Sequence, residues 1–363
     1  MNKVNEIELK KIEMQKSFEG DFAELPPSDI VAFNELRSCA DLLRMYENKQ
    51  LEIQPDFQRD IVWDKPDQTR FIDSLIKQLP IPSMCISLDY KTNKRQVIDG
   101  LQRMQSIINF LSKTEWKLSS LDDIETRISG KTNLYIKEKH EDLYDRVENL
   151  TIPVTILRCD YSKESHANYL FTIFHRLNSG GSKLNNQEIR NCIYNGSLNT
   201  LLKDLTKYEN FKKLMGIKTN KTYRFAHEEI LLRFFAFTET HKKYTGRLAK
   251  FLNDFMFNHK DSNDSEILKR RNLFNRTIDV IQTKLIEHKE VQSLSKSVLE
   301  GLLVGIAINI DFIESITPEQ FSKLYKSLKE SDEFSFDNLK EGLASKDKVI
   351  KRLDFAIDNF SKL

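Results

Sequence analysis

The chain has 363 residues, 39% of them hydrophobic and 30% charged, so it is long enough for two packed units and polar enough to fold in water. Its formal net charge of +2 excludes a strongly basic protein, and a contact with nucleic acid has to come from a local patch. No apolar run approaches the roughly 20 residues that span a bilayer. The N-terminus is charged and unlike a signal peptide, so we expect a cytoplasmic protein that does not contact a membrane.

The four cysteines are far apart and form no CxxC pair, which argues against a zinc site and against a disulfide framework. Free cysteine is among the most buried residue types. We therefore expect reduced, mostly buried thiols at the following positions: Cys39, Cys85, Cys159 and Cys192.

Residues 1–28 are charged and end in "ELPPSDI", which predicts a variable N-terminal arm. Ser28 or Asp29 is a suitable N-cap for a helix through "VAFNELRSCADLLRMYENKQ". Ser38 offers a second helix start within the same stretch, and the sequence leaves both starts open.

Strand and helix patterns then alternate. Leu51 and Ile53 predict a short strand, and "KPDQTRFIDSLIKQL" has apolar residues at helical spacing. "PIPSMCISLDY" and "RQVID" predict two strands around the turn "KTNK". This alternation favours an α/β unit.

Residues 111–150 give no sharp prediction, whereas "TIPVTILRCD" is rich in β-branched residues and predicts another strand. Two helices are predicted next, over "ESHANYLFTIFHRLNSGG" and "NNQEIRNCIYNG", the second with Asn185 and Glu188 at capping-box spacing. From about residue 200 nearly all patterns are helical, and "HEEILLRFFAF" is apolar enough for a buried helix in which Glu229 and Arg233 form an i, i+4 pair.

The segment "RQVIDGLQRMQSIINF" carries the most suggestive chemistry. Asp99 and Gly100 lie where a strand gives way to a helix, and a helix N-terminus stabilises an anion that glycine allows to approach. Arg103 has the planar fork that suits phosphate, and Gln102 lies in the same helical turn. A carboxylate such as Asp99 could hold Mg²⁺ or orient a water. The alternative is an ordinary Asp-Gly turn with solvated Gln102 and Arg103.

A second Gln-Arg pair, Gln58 and Arg59 in "IQPDFQRDIVW", also follows a strand and precedes a helix. The two pairs could converge on one ligand across a sheet edge. The alternative is a surface ion pair of Arg59 with Asp56 or Asp60.

These segments together resemble the N-terminal domain of GmrSD-type restriction endonucleases, a domain of the ParB/sulfiredoxin-like superfamily. The resemblance runs through "IQPDFQRDIVW", "VIDGLQRMQSIINFL", "LFTIFHRLNSGGSKLNNQEIRNCIYNG", "HEEILLRFFAF" and "GRLAKFLNDFM", about residues 33 to 257. It implies an α+β fold: a ParB-like mixed α/β core followed by an all-helical domain. We expect residues 29–198 to form the nucleotide-binding domain and residues 199–363 the helical domain.

The resemblance also implies site residues. The family's usual turn is Asp-Gly-Gln-Gln-Arg, and here Leu101 replaces the first amide. Asp99, Gln102 and Arg103 are then the catalytic candidates, with Asp99 as the Mg²⁺ ligand. The nucleotide-binding candidates are Gln58, Arg59, Gly100, Arg103 and Asn178. Asn178, which closes the stretch from Phe174, is as well explained by a helix C-cap.

The C-terminal third lacks the pattern expected of the HNH nuclease domain that relatives often carry. Its histidines, among them His241 and His259, lie in helical or polar surroundings. Lys269, Arg270 and Arg271 form a dense basic run that predicts a DNA-backbone contact. A solvated helix face balanced by acidic neighbours is the alternative.

The sequence therefore favours a nucleotide-binding, NTP-hydrolysing protein of a bacterial defence system, with Mg²⁺ and an NTP as cofactors and hydrolysis as a switch. Possible partners are DNA and a separate nuclease or modification protein. A non-enzymatic DNA-binding or adaptor module, and a DNA endonuclease subunit, remain alternatives.

Overall fold

A computed structural model describes residues 8–9, 11–12, 26–53, 63–177, 185–216, 226–286, 294–340 and 343–363. The chain divides into two compact units. One lies within residues 24–183, and the other comprises residues 184–363 together with the N-terminal residues 1–23. The first unit contains the sheet and the second is helical, so the structure confirms the expected α+β class with a helical C-terminal region.

The first unit is built on a five-stranded sheet of mixed direction. The strands are β1 (Val31–Ser38), β2 (Leu51–Glu52), β3 (Met84–Asp89), β4 (Lys94–Asp99) and β5 (Thr151–Cys159). They lie in the order β1-β5-β3-β4-β2. The pairs β1–β5 and β3–β4 are antiparallel, and β5–β3 and β4–β2 are parallel. Because β4 lies inside the sheet, its last residue is held firmly where the chain turns into a helix.

Six helices accompany the strands among the described residues of this unit. They are α1 (Cys39–Glu47), α2 (Lys65–Ile76), α3 (Leu101–Leu111), α4 (Asn133–Lys139), α5 (Glu141–Asn149) and α6 (Glu164–Leu177). The start of α2 shows why they form where they do: the Asp64 side chain accepts from the Asp67 N–H, and Pro66 lies in the first turn. Apolar faces of α1, α2, α3 and α5 pack with β3 and β5 in one buried cluster.

Of the two helix starts that the sequence left open, the one at Ser28 or Asp29 is wrong. Residues Val31–Ser38 form β1, paired with β5 from Val31↔Arg158 to Ser38↔Thr151. The helix begins afterwards at Cys39, with the Ser38 side chain accepting from the Asp41 N–H, which confirms the second of the two starts. Pairing with a strand more than a hundred residues away overrides the local helical signal.

The second unit contains the remaining helices of the described residues. They are α7 (Asn186–Ile193), α8 (Ser197–Leu205), α9 (Glu209–Met215), α10 (Ala226–Thr240), α11 (Leu248–His259), α12 (Asp264–Ile281), α13 (Lys296–Ile308), α14 (Ile310–Ser315), α15 (Pro318–Glu330), α16 (Phe336–Lys340) and α17 (Lys346–Asn359). A π-helical turn, Gln282–Ile286, extends α12. The predicted capping box of Asn185 and Glu188 is present. The buried helix expected over "HEEILLRFFAF" is α10, confirmed by burial of most of its side chains.

All four cysteines are buried and unpaired, as expected. Within the described ranges, no helix combines the length and the apolar character needed to cross a membrane.

Candidate functional site

The turn between β4 and α3 has a backbone shape that requires glycine. Gly100 has φ of 98° and ψ of 17°, in the left-handed region, and it occupies the N-cap of α3 without a side chain to cap the helix. A Cβ atom at this position would lie 2.7 Å from Cγ of the buried Met84. The chain therefore passes close over β3, and the first N–H groups of α3 meet no capping side chain of Gly100.

Asp99 and Arg103 flank this glycine and bind each other. The Arg103 Nη2 donates to the Asp99 Oδ2 at 2.8 Å, and the two side chains are 12% and 36% exposed respectively. The Arg103 Nη1 also donates to the carbonyl oxygens of Pro82 and Ser83, the latter at 3.3 Å. Arg103 thus fixes the Asp99 carboxylate and ties the turn to the segment before β3. The Pro82 and Ser83 carbonyls had no signal in the sequence.

Gln102 is the neighbour whose side chain is not satisfied. Its side-chain carbonyl oxygen Oε1 is buried and accepts no hydrogen bond from any described residue. Buried polar atoms without a partner are rare in folded proteins, and each one calls for an explanation such as a bound water or ligand. Its other neighbour in the turn, Leu101, is half-buried and packs against the hydrophobic cluster of the first unit.

Three of the predicted nucleotide-binding residues lie outside the described residues: Gln58, Arg59 and Asn178. The predicted convergence of Arg59 and Arg103 on one ligand therefore stays a prediction. The structure brings together Asp99, Gly100, Gln102 and Arg103 in one turn.

The basic run predicted to contact DNA lies on α12 in the second unit. Arg270 is buried: its Nε and Nη2 donate to the Glu239 carboxylate at 2.7 and 2.9 Å. Lys269 is exposed, and Arg271 lies 3.5 Å from Asp204. The Arg270 guanidinium is thus used in an ion pair within this unit. The predicted DNA contact of Lys269, Arg270 and Arg271 stays a prediction.

The first unit also contains a histidine–carboxylate pair that the sequence did not reveal. The buried His166 accepts the Asp160 N–H at Nδ1 (3.0 Å), so its Nε2 carries the proton and donates to the Asp29 Oδ1 at 2.8 Å. Hydrogen bonds from Lys163 and then His166 lower the pKa of Asp29 to about 2. His166 is hydrogen-bonded through both ring nitrogens. It fastens the residues that lead into β1.

A cluster of buried charges occupies the second unit. The predicted pair on α10 is confirmed, with the Arg233 Nη2 at 2.9 Å from the Glu229 Oε1. Arg190 on α7 lies 3.5 Å from the other Glu229 oxygen and donates to the Asn253 Oδ1 at 2.8 Å. Arg233 reaches Glu300 as well, at 3.4 Å. Burial opposes ionisation of Glu229, but the charges of Arg233, Lys296 and Arg190 lower its pKa. Each charge of this cluster has a partner of opposite sign, which is typical of a structural role.

Asp99 is a carboxylate that could contact a cation bound with a nucleotide. Among the described residues, no three or more His, Cys, Asp or Glu side chains are grouped as a metal site would require. The other ligands of a Mg²⁺ ion at Asp99 would therefore have to be waters or oxygens of a bound ligand.

The fold and the turn define a class: an α+β protein whose mixed sheet delivers an acid, a glycine, an amide and an arginine to one helix N-terminus, followed by a helical region. Residues 39–195 match the family model described as "GmrSD restriction endonuclease, N-terminal domain", so this segment is similar to that domain. The match spans β3, β4, α3 and β5 and ends after α7. It links the chain to restriction and defence. No curated protein and no solved structure is significantly similar to the chain.

Proposed function

We propose that the β4–α3 turn binds a nucleoside triphosphate with Mg²⁺, and that hydrolysis of the nucleotide acts as a switch in a bacterial defence system. The observation that supports this most is the buried Gln102 Oε1, which has no hydrogen-bond partner among the described residues. It lies one residue into α3, beside a glycine N-cap with no capping side chain. The helix start favours an anion, and the unsatisfied acceptor beside it is suited to a hydrogen bond from a water or from a ligand hydroxyl.

Each residue has a role that its contacts suit. The first N–H groups of α3 and the Arg103 guanidinium provide donors for phosphate oxygens. The Arg103 Nε makes no hydrogen bond seen among the described residues, while its Nη atoms hold Asp99 and the Pro82 carbonyl. The Gln102 Oε1 is an acceptor, so it suits a water or a ligand hydroxyl rather than a phosphate. Such positioning accounts for most of the catalysis of phosphoryl transfer.

Leu101 does not weaken this proposal. Its side chain is partly buried and packs against the hydrophobic cluster of the first unit. We infer that replacing the family's amide at this position alters packing under the turn and leaves Asp99, Gln102 and Arg103 in place for the ligand.

The test is phosphate release from ATP, GTP, CTP and UTP, with and without DNA, by the chain and by its Gln102→Leu variant. The substitution removes the acceptor, so we expect release to fall about 100-fold. Because it also removes an unsatisfied polar atom, we expect the melting temperature to stay unchanged or to rise.

Gln105→Leu is the matched control. Gln105 lies in the same helix, but its Nε2 donates to the Asn109 Oδ1 at 2.9 Å. We expect this variant to keep wild-type release and to lose a little stability. Release that survives in both Gln102→Leu and Asp99→Asn would show that the turn is not the nucleotide site.

A further inference from the structure

The Arg103 guanidinium lies directly over the start of α3. A Cβ atom added to Gly100, the N-cap of this helix, would be 3.2 Å from the Arg103 Nη2. The N-terminal end of a helix carries a partial positive charge, which disfavours a cation placed there and favours an anion. An arginine in this position is therefore stabilised by a negative partner close to it.

Asp99 is that partner in the structure, and it engages only part of the guanidinium. The Asp99 Oδ2 accepts from the Arg103 Nη2 at 2.8 Å. The Nη1 atom is used elsewhere, by the carbonyl oxygens of Pro82 and Ser83. Among the described residues, none accepts from the Arg103 Nε and none donates to the Asp99 Oδ1. The edge formed by Nε and Nη2 thus holds the carboxylate through one hydrogen bond, although it can donate two in parallel.

A phosphate group is a strong competitor for this edge of Arg103. A partly exposed ion pair contributes little to stability, whereas a bidentate contact of arginine with phosphate is among the strong hydrogen-bonded pairs. A polyphosphate also brings more negative charge than one carboxylate, and it accepts from the first N–H groups of α3. Because Nη1 remains bound to the two carbonyl oxygens, Arg103 can change its anionic partner without leaving the turn.

We propose that Asp99 holds Arg103 in place of a phosphate, and that a bound phosphate displaces Asp99 and frees its carboxylate for Mg²⁺. This exchange rests on the proposed function and adds to it the order in which the site is filled. Asp99 opposes the binding of a metal-free nucleotide, because it competes for Arg103. It favours the binding of a nucleotide that carries Mg²⁺, because the freed carboxylate is a ligand for that ion.

Nucleotide binding in EDTA tests the first half of the exchange. The affinities of the full chain for ATP, GTP, CTP and UTP are measured, and Asp99→Asn should bind the preferred nucleotide about three- to fivefold more tightly than the wild type. Asp123→Asn is the matched control, because Asp123 forms an ion pair with Arg70 at 2.9 Å elsewhere in the same unit. It makes the same change in charge and should leave the affinity unchanged. An affinity that Asp99→Asn leaves equal or weaker overturns the proposal.

Arg103→Gln separates the exchange from simple repulsion between Asp99 and a phosphate. In this background Asp99→Asn should change the affinity by less than about twofold, because the guanidinium for which the carboxylate competes has been removed. Melting curves check that the single and double variants are folded. A gain in affinity as large as the one in the wild-type background would attribute the effect to repulsion and overturn the exchange.

Replacing EDTA by Mg²⁺ tests the second half and requires no change at Arg103. We expect the affinity of the wild type to rise at least about tenfold and that of Asp99→Asn less than about threefold, so that the order of the two proteins reverses. Equal gains contradict the release of the Asp99 carboxylate. A wild type that binds none of the four nucleotides refutes the proposed function itself, whereas binding without these differences refutes the exchange alone.

Discussion

Two acid–arginine pairs with the same spacing have opposite environments in this molecule. Asp99 and Arg103 are separated by 2.8 Å at the start of α3, and Glu229 and Arg233 by 2.9 Å within α10. The first pair stands at an uncapped helix N-terminus beside an unsatisfied amide, and its carboxylate is partly open to solvent. The second is buried and belongs to a cluster of paired charges with Arg190, Glu300 and Lys296.

The comparison shows that i, i+4 spacing on a helix determines whether an acid and an arginine form an ion pair, but not the role of that pair. A buried pair pays for desolvation only when its partners stay in place, so it is suited to holding helices together. A partly exposed pair can exchange one of its contacts for a ligand at small cost. We therefore assign a structural role to the α10 pair and propose a binding role for the α3 pair.

Removing one partner from the buried cluster should have the largest effect. Glu229→Gln leaves Arg190 and Arg233 without their shared carboxylate, and we expect it to lower the free energy of unfolding by about 3 to 5 kcal/mol. Denaturant unfolding measures it. Asp99→Asn is the matched change at the other pair, and we expect a loss within about 1 kcal/mol. Equal losses would abolish the distinction between the two pairs.

The glycine beside Asp99 should be sensitive for a steric reason. Gly100→Ala combines a left-handed backbone with a Cβ atom 2.7 Å from the Met84 Cγ. Gly216, also left-handed with φ of 61°, has nothing within 4 Å of an added Cβ, so Gly216→Ala reports the backbone strain alone. We expect backbone strain to destabilise both variants by about 1 kcal/mol. The contact with Met84 should destabilise Gly100→Ala by about 1 to 3 kcal/mol more. Equal denaturation midpoints for the two variants would show that the Met84 side chain moves aside at no cost.

The free energy of unfolding should also depend on pH, through His227 on α10. Burial, and then the charge of Lys296, lowers the pKa of His227 from 6.5 to about 4. The unfolded chain then binds the extra proton between these values, so stability is complete above pH 6.5 and falls as the pH drops toward 4. Because His227 is partly exposed, we expect this fall in the free energy of unfolding to be about 2 kcal/mol.

His227→Gln removes this proton site and should flatten the fall. At pH 8 His227 is neutral in both the folded and the unfolded chain. Unfolding curves of the variant and the wild type at that pH therefore measure the part of the stability difference that is unrelated to protonation. After that correction, identical slopes below pH 6.5 in the two proteins would exclude His227 as the source.

Local sequence patterns predicted much of the fold and only part of the site. Apolar periodicity located the strands around "KTNK" and the buried α10, because these elements bury the residues that form the pattern. It failed at Val31–Ser38, where pairing with β5 decides the structure. The acid, glycine and arginine of the turn were predicted, but their contacts with Met84, Pro82 and Ser83 depend on how β3 lies beneath them, which no local pattern encodes.

The most direct test of the central claim is hydrogen exchange of the backbone amides of Leu101, Gln102 and Arg103 with and without a nucleoside triphosphate and Mg²⁺. If phosphate oxygens accept from the start of α3, exchange in this turn slows on nucleotide addition, and Asp99→Asn reduces the slowing. Exchange that stays unchanged there at saturating concentrations of all four nucleotides contradicts the account.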